Sequence, residues 1–475
     1  MFSSDKLVIW LRNLVRRYPF LRRPALAVIG FGLHLLRVRE VLGMAVLAIR
    51  YATPKQGAAV DSSLVVMLAV SDLRVDPRIE REARALATAG YRIVVIWPDV
   101  RPISENPQKP IDWGDNITFH GLPIRTSAFA YSFPGFLGYD LTKAALRYNP
   151  FAFHAHDLTT AFAALIAANK AGTKLVVDFH EWFSENVSFN QKTQQYVPHP
   201  RWTKAAHRWL EKKAMRRADA VITVCGSLAS AMKEFSGIAD EVYVVRNIPD
   251  LSRVPTRIYG SLRDELNLAD DRFLLLWQGG VGPSRMIEPI IQALPLAEKC
   301  VFAIRGPGLE AYGAQYRALA EQLSVGGRLV FLPLVPSSDV VAAAQGADAG
   351  VWTLPNLCKN FYYALPNKIF EYLATGLPVL VANYPEAEKL VVRSGAGLSF
   401  DPYDPRSIAE VINRISGDPD LRQSMRQRVA ELLVEIDATE EWSKLVKIYM
   451  GLGARGVESP LLLSPRAGLS AASKE

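Results

Sequence analysis

The sequence predicts an α/β protein: two Rossmann-like domains in tandem, each a parallel sheet wrapped by helices, facing a cleft. Three observations predict it. From residue 64 onward, short runs of buried-strand character alternate with amphipathic helical patterns. The alternation lapses into a Pro-bearing stretch around 249–270 and then restarts. The chain has 475 residues, 49% of them hydrophobic, which is more than one core usually organises.

In the first domain, placed at 61–250, the strand-like runs are 64–70, 92–97, 151–156, 174–179, 220–224 and 242–245. One helix is readable in detail. Asp76 is a good N-cap, Pro77 suits the first helical position, Ile79, Ala83, Leu86 and Ala87 recur on one face, and Gly90 stops the chain from continuing. A linker follows at 251–270. The second domain, 271–410, carries strand-like runs at 273–277, 301–305, 329–332, 350–352 and 378–381. C-terminal helices occupy 411–452, their first turns beginning near 405, and a Ser-, Ala- and Gly-bearing tail closes the chain at 453–475.

The charge is confined to one end. Lys and Arg number 55 against 47 Asp and Glu, a net +8, yet residues 1–60 hold ten of the basic and only two of the acidic residues. The remaining 415 residues therefore balance at 45 of each. A neutral body offers no extended basic groove, so nucleic acid is not an expected partner. Within 7–18, taken at about 100° per residue, Leu7, Val8, Trp10, Leu11, Leu14, Val15 and Tyr18 share a face opposite Arg12, Asn13, Arg16 and Arg17. A surface helix docked on the body has this pattern too, but the basic flank favours a helix lying in a membrane interface. The apolar runs 25–36 and 41–49 are each well short of the roughly 20 residues that span a bilayer. Cys225, Cys300 and Cys358 are too few and too far apart for a disulfide framework or a metal-binding pair. Residues 1–60 are thus expected to contact an anionic membrane, with the body cytoplasmic at its inner face.

The segment 365–379, Leu-Pro-Asn-Lys-Ile-Phe-Glu-Tyr-Leu-Ala-Thr-Gly-Leu-Pro-Val, carries the strongest chemistry. A helix starting near Pro366 places Asn367 and Lys368 in the first turn, where free N–H groups and the dipole favour a phosphate and Lys368 adds a full charge. Glu371, one turn on, is placed to accept hydrogen bonds from ribose hydroxyls of the same ligand. His154 and His156 project to one side of a strand beside Asp157, but no second ligand cluster with metal spacing appears, and no metal site is expected.

With that segment go Asp76-Pro-Arg-Ile-Glu-Arg-Glu-Ala-Arg84, His154-Ala-His-Asp157, Val177-Asp-Phe-His-Glu181, Arg217-Ala-Asp-Ala-Val-Ile-Thr-Val224, Arg246-Asn-Ile-Pro249, Gln278-Gly-Gly280 and Gly395-Ala-Gly-Leu-Ser-Phe-Asp401. In this order and spacing the chain resembles, over roughly 64–450, the retaining, nucleotide-sugar-dependent glycosyltransferases of the GT-B fold, family 4. The resemblance implies that Gly279 and Gly280 admit a diphosphate, that Arg285 binds its oxygens, and that Lys368 supplies the cation the usual loop lysine would give. It implies that Arg305 and Gly306, in Arg-Gly-Pro-Gly308, form the turn beside the nucleotide, and that His180 faces the transferred sugar. The family pairs two glutamates eight positions apart. Glu371 matches the second, whereas Tyr363 stands at the first, so Tyr362, Tyr363 or the backbone near Ala364 takes that place.

The implied function is retaining transfer of a sugar from a nucleotide diphosphate donor, without a cofactor or an obligatory metal, to a lipid-linked or other glycan acceptor in polysaccharide biosynthesis. The polar, aromatic stretch 186–202, read as a loop, is a candidate acceptor contact. Two rivals keep the fold and change the outcome. A nucleotide-sugar epimerase or hydrolase would release free sugar, and a non-catalytic scaffold, suggested by Tyr363, would bind nucleotide without turning it over.

Overall fold

The structure is a computed structural model that describes residues 42–52, 59–74, 76–99, 111–123, 138–190, 193, 195–249, 255–436 and 438–453. The expected interfacial helix at 7–18, the apolar run 25–36 and the tail beyond Gly453 lie outside these residues. Two compact units are present. One comprises described residues up to His180, Trp209–Ile222 and those from Trp442 on; the other comprises Glu181–Arg208 and Thr223–Glu441.

The first sheet is built from β1 (Asp61–Leu68), β2 (Arg92–Asp99), β3 (Ile117–Pro123), β4 (Pro150–His156) and β5 (Lys174–Phe179), continued by β8 (Ala220–Thr223) and β9 (Val242–Val244). Its order is β3-β2-β1-β4-β5-β8-β9. Val65, Val66, Met67 and Leu68 are all fully buried in succession, the mark of a strand covered on both faces. Helix Pro77–Thr88 starts as its sequence dictates: the Asp76 side chain accepts from the Arg78 and Ile79 N–H groups. A helix over 42–50 lays Met44 and Leu47 against Ile166 of helix Asp157–Ala171.

The second sheet holds β10 (Phe273–Gln278), β11 (Cys300–Arg305), β12 (Leu329–Phe331), β13 (Ala349–Trp352), β14 (Val379–Ala382) and β15 (Gly397–Phe400) in the order β12-β11-β10-β13-β14-β15, with every neighbouring pair parallel. The strand order reverses between β10 and β13, and ligands of such sheets bind beyond the carboxyl ends of the strands at that point. Gly279 follows β10 directly, and the chain leaving β13 reaches helix Asn367–Ala374.

Three sequence readings are corrected. The stretch 186–202 is not a loop: it folds as a hairpin of β6 (Val187–Asn190) and β7 (Gln195–Pro198), after which helix Arg201–Met215 begins. Phe189 opposes Tyr196 across the ladder with ring centroids 5.0 Å apart, so two aromatics taken as loop surface are a cross-strand pair. Strand β3 went unread because His120 and Gly121 interrupt its apolar alternation, and β15 because its four residues are flanked by small ones. Leu262, in the stretch read as a linker, is buried in the second sheet's core, on the short helix Leu262–Glu265. Among the described residues no helix is long and apolar enough to cross a membrane.

Candidate active site

In the second unit, the loops after β10 and β11 are locked together by their backbones. Gly279 N–H donates to Arg305 O at 2.9 Å, and Val281 N–H to Pro307 O at 2.8 Å. This approach leaves no room for a side chain: a Cβ at Gly306 would lie 1.6 Å from Gly279 O, and one at Gly308, where φ is +104°, 2.2 Å from Val281 O. Arg305-Gly-Pro-Gly308 is therefore a required close contact and more than a turn.

Two cations converge on this platform. A Cβ built on Gly279 would come within 3.1 Å of Lys368 Cε, and one on Gly280 within 3.5 Å of Arg285 Nε. Lys368 thus passes over one glycine and Arg285 over the other, although 83 positions of sequence separate them. Lys368 Nζ is held 3.0 Å from Glu371 Oε2 across one turn of helix Asn367–Ala374. That helix opens after Pro366 with no side-chain cap, leaving its first N–H groups for another acceptor. Tyr372 anchors it from beneath, its Oη accepting from the Gln278 N–H at 2.6 Å and its ring filling the space above Gly350.

Arg305 sits elsewhere than its expected role suggests. Its guanidinium is buried and donates to Gln278 Oε1 at 2.9 Å and Ala343 O at 2.8 Å, so it braces the end of β10. Tyr363 closes the short helix Lys359–Tyr362, and its carbonyl accepts from Cys225 Sγ at 3.2 Å.

In the first unit, His180 follows β5 and is clamped by two carboxylates. Nε2 lies 3.0 Å from Asp178 Oδ2, Nδ1 lies 3.4 Å from Asp157 Oδ2, and its backbone N–H donates to Asp157 Oδ1 at 2.8 Å. An imidazole with an acceptor at each nitrogen must be protonated to donate from both. Burial works against that charge, but Asp157 and Asp178 outweigh it and push His180 up to about 9. Asp157 adopts a φ of +61°, a left-handed conformation unusual for a residue with a side chain, at the start of helix Asp157–Ala171. Strain of this sort persists only where neighbouring contacts impose it.

Asp178 is the hub of a fully buried polar cluster. Arg78 donates to it twice, from Nε at 2.9 Å and Nη2 at 3.0 Å, and also lies 2.9 Å from Glu82 Oε1. Despite its own burial, Asp178 is held well below the usual carboxylate range by Arg78 and His180. Burial and the Asp178 charge push Glu82 well above the usual carboxylate range. His154 and His156 stack at 4.5 Å, as their shared strand face required. Burial lowers His154 to about 4, and its Nδ1 meets Tyr449 Oη at 2.9 Å.

Glu82, His154, His156 and Asp178 bring ligand-type atoms within 4.8 Å of one another. The Arg78 guanidinium already sits against both carboxylates and supplies the positive charge a metal ion would bring. The set fits a charge-compensated network better than a cation site. Arg78, Glu82 and Asp178 were not singled out from the sequence. The available signal was the i, i+4 pair Arg78 and Glu82, which lies along the apolar stripe of Ile79, Ala83 and Leu86 where charged groups are buried only when paired.

The sequence matches the family Glycosyltransferase Family 4 over residues 78–253 and the family Glycosyl transferases group 1 over residues 260–431. The chain belongs to the family 4 glycosyltransferases of the GT-B fold. Among curated relatives, the chain is 26% identical over 238 residues to D-inositol 3-phosphate glycosyltransferase of Corynebacterium efficiens, a match covering 48% of the chain and 55% of that protein. The chain thus matches only about half the length of that relative. Its fold is shared with sucrose-phosphate synthase from Thermosynechococcus elongatus at a TM-score of 0.61 and 18% identity, covering 82% of this chain and 99% of the other. It is shared equally with HepE of Anabaena in complex with UDP-glucose, at 0.59 and 16%, covering 82% and 99%.

Proposed function

We propose that the protein transfers a sugar from a nucleotide diphosphate donor to a lipid-linked or other glycan acceptor, with retention at the anomeric carbon. The observation that carries this reading is the convergence of Lys368 and Arg285 on the Gly279–Gly280 turn. Negative charge builds on the leaving diphosphate in the transition state, so cations already fixed at that position stabilise it without reorganisation. The planar Arg285 guanidinium suits two phosphate oxygens at once, while Lys368 acts as a point charge. Glu371 holds Lys368 in place through both carboxylate oxygens, at 3.2 and 3.0 Å, and their remaining lone pairs are offered to ribose hydroxyls, while Asn367 adds a side-chain amide at the helix start.

His180 is assigned to the transferred sugar. Because carboxylates engage both ring nitrogens, the ring serves as a fixed cation, and the group left for the sugar is the backbone carbonyl. Tyr363, with Tyr362, stands where the family's first glutamate would lie. With two cations at the diphosphate no metal is required, so chelation of divalent ions leaves turnover unchanged. The HepE complex makes a uridine nucleotide sugar the first donor to try. The membrane side of the proposal rests on the basic segment 1–60, which would keep the protein at the inner face of a membrane where lipid-linked acceptors reside. The test is donor turnover by Lys368→Ala and Arg285→Ala proteins, each expected to fall by about 100-fold or more; near wild-type rates in both would refute the assignment.

A further inference from the structure

The geometry points to a membrane-docking face on the folded body itself, centred on the helix over 42–50 and on Trp209, whose occupant is an anionic lipid bilayer. The inference rests on the membrane part of the proposed function and extends it from the segment 1–60, to which the helix over 42–50 belongs, onto the folded body at Trp209. The helix is apolar on both sides. Met44 and Leu47 pack inward against Ile166, while Leu42, Val46 and Ile49 on the outer side are 60%, 60% and 79% exposed. A helix hydrophobic all round normally has both faces covered, so this outer row is built for a partner.

Phe162 joins the row to its flank. It packs on the Met44–Leu47–Ile166 cluster, and its ring lies 6.3 Å from that of Trp209, which is 56% exposed. Lys213 Nζ sits 4.8 Å from the Trp209 ring and 5.5 Å from the Phe162 ring. Lys143 lies over Tyr139, whose ring presses against Gly43 of the helix, and Arg50 closes the helix's far end. On the first-unit part of the Trp209 helix and its extension, Lys212, Lys213, Arg216 and Arg217 stand against two acidic residues, Glu211, which is buried, and Asp219, which pairs with Lys174 at 2.8 Å. Asp140 is the acidic residue on the Tyr139 side. An apolar row rimmed by lysine and arginine, with a tryptophan at its border, matches the acyl boundary, the headgroup charge and the interfacial zone of an anionic membrane. The excess of positive charge on the rim is complementary to anionic headgroups.

The experiment is sedimentation of the full chain with vesicles of phosphatidylcholine containing 30% phosphatidylglycerol, beside vesicles of phosphatidylcholine alone. Wild type is expected to bind the first at least tenfold more tightly. The Val46→Glu/Ile49→Glu double variant and the Trp209→Ala variant are each expected to bind tenfold or more weakly, with unchanged thermal midpoint and unchanged donor turnover on a water-soluble acceptor. Undiminished vesicle binding by both variants would overturn the proposal. So would a fall of several degrees in the double variant's thermal midpoint, which would show the face already packed within the chain. A wild-type dimer dissociated by the double variant, with vesicle binding unaffected, would assign the face to a second copy instead. Loss of donor turnover in wild type would count against the enzymatic reading alone, since vesicle binding is read separately.

Discussion

Asp178 Oδ2 lies 3.0 Å from His180 Nε2 while the same carboxylate receives Arg78 side-on. One buried anion therefore serves two cations, and the position of His180 depends on a residue two positions away whose own charge is balanced by an arginine 100 positions earlier.

Replacing Asp178 by Asn keeps the shape and removes the charge. Arg78, fully buried, would then lack its main counter-charge, and breaking a buried pair from one side costs about 3–5 kcal/mol. Urea unfolding of Asp178→Asn should show a loss of that size; a loss under about 1 kcal/mol would show that Glu82 alone suffices for Arg78.

The two histidines make opposite arms of a pH–stability profile. His180 has a folded value raised to about 9 from 6.5, so its contribution is complete below pH 6.5 and disappears as pH rises through 9. His154 is depressed to about 4 from 6.5, so its contribution is complete above pH 6.5 and disappears as pH falls toward 4. Stability should therefore peak near neutrality. Asp157→Asn should flatten the alkaline arm and leave the acid arm, as measured by denaturant midpoints between pH 4 and pH 9. An unaltered alkaline arm would show that Asp157 does not hold the His180 proton.

Gly306→Ala puts a methyl group where Gly279 O stands. The two loops would have to part, moving the platform beneath Lys368. Nucleotide affinity measured by calorimetry should drop by at least tenfold, with a stability loss of about 1–3 kcal/mol. Unchanged affinity would show that the phosphates do not depend on this contact.

Much of this was legible in the sequence wherever the signal is local. Strand β5 falls at 174–179 as read, Asp76 and Pro77 start their helix, and the helix carrying Lys368 and Glu371 begins just after Pro366. What could not be read depends on residues far apart in the chain. Arg305 reads as part of the turn beside the nucleotide, yet pairing of β10 with β11 sets it opposite Gln278, whose amide oxygen takes its guanidinium. Arg78 enters the sequence reading only as one residue of the segment 76–84, and only the β1, β4 and β5 neighbourhood reveals Asp178 across from it. The hairpin at 187–198 was missed because its polar and aromatic alternation spans only four residues per strand.

The most direct test of the central claim is nucleotide release from a panel of nucleotide sugars, compared among wild type, Lys368→Ala, Arg285→Ala and the double variant. The account predicts turnover of at least one donor by wild type in the presence of chelator, a fall of about 100-fold or more in each single variant, and a fold unchanged by circular dichroism. Turnover surviving in the double variant at wild-type rate would contradict it, as would nucleotide binding by wild type with no release from any donor.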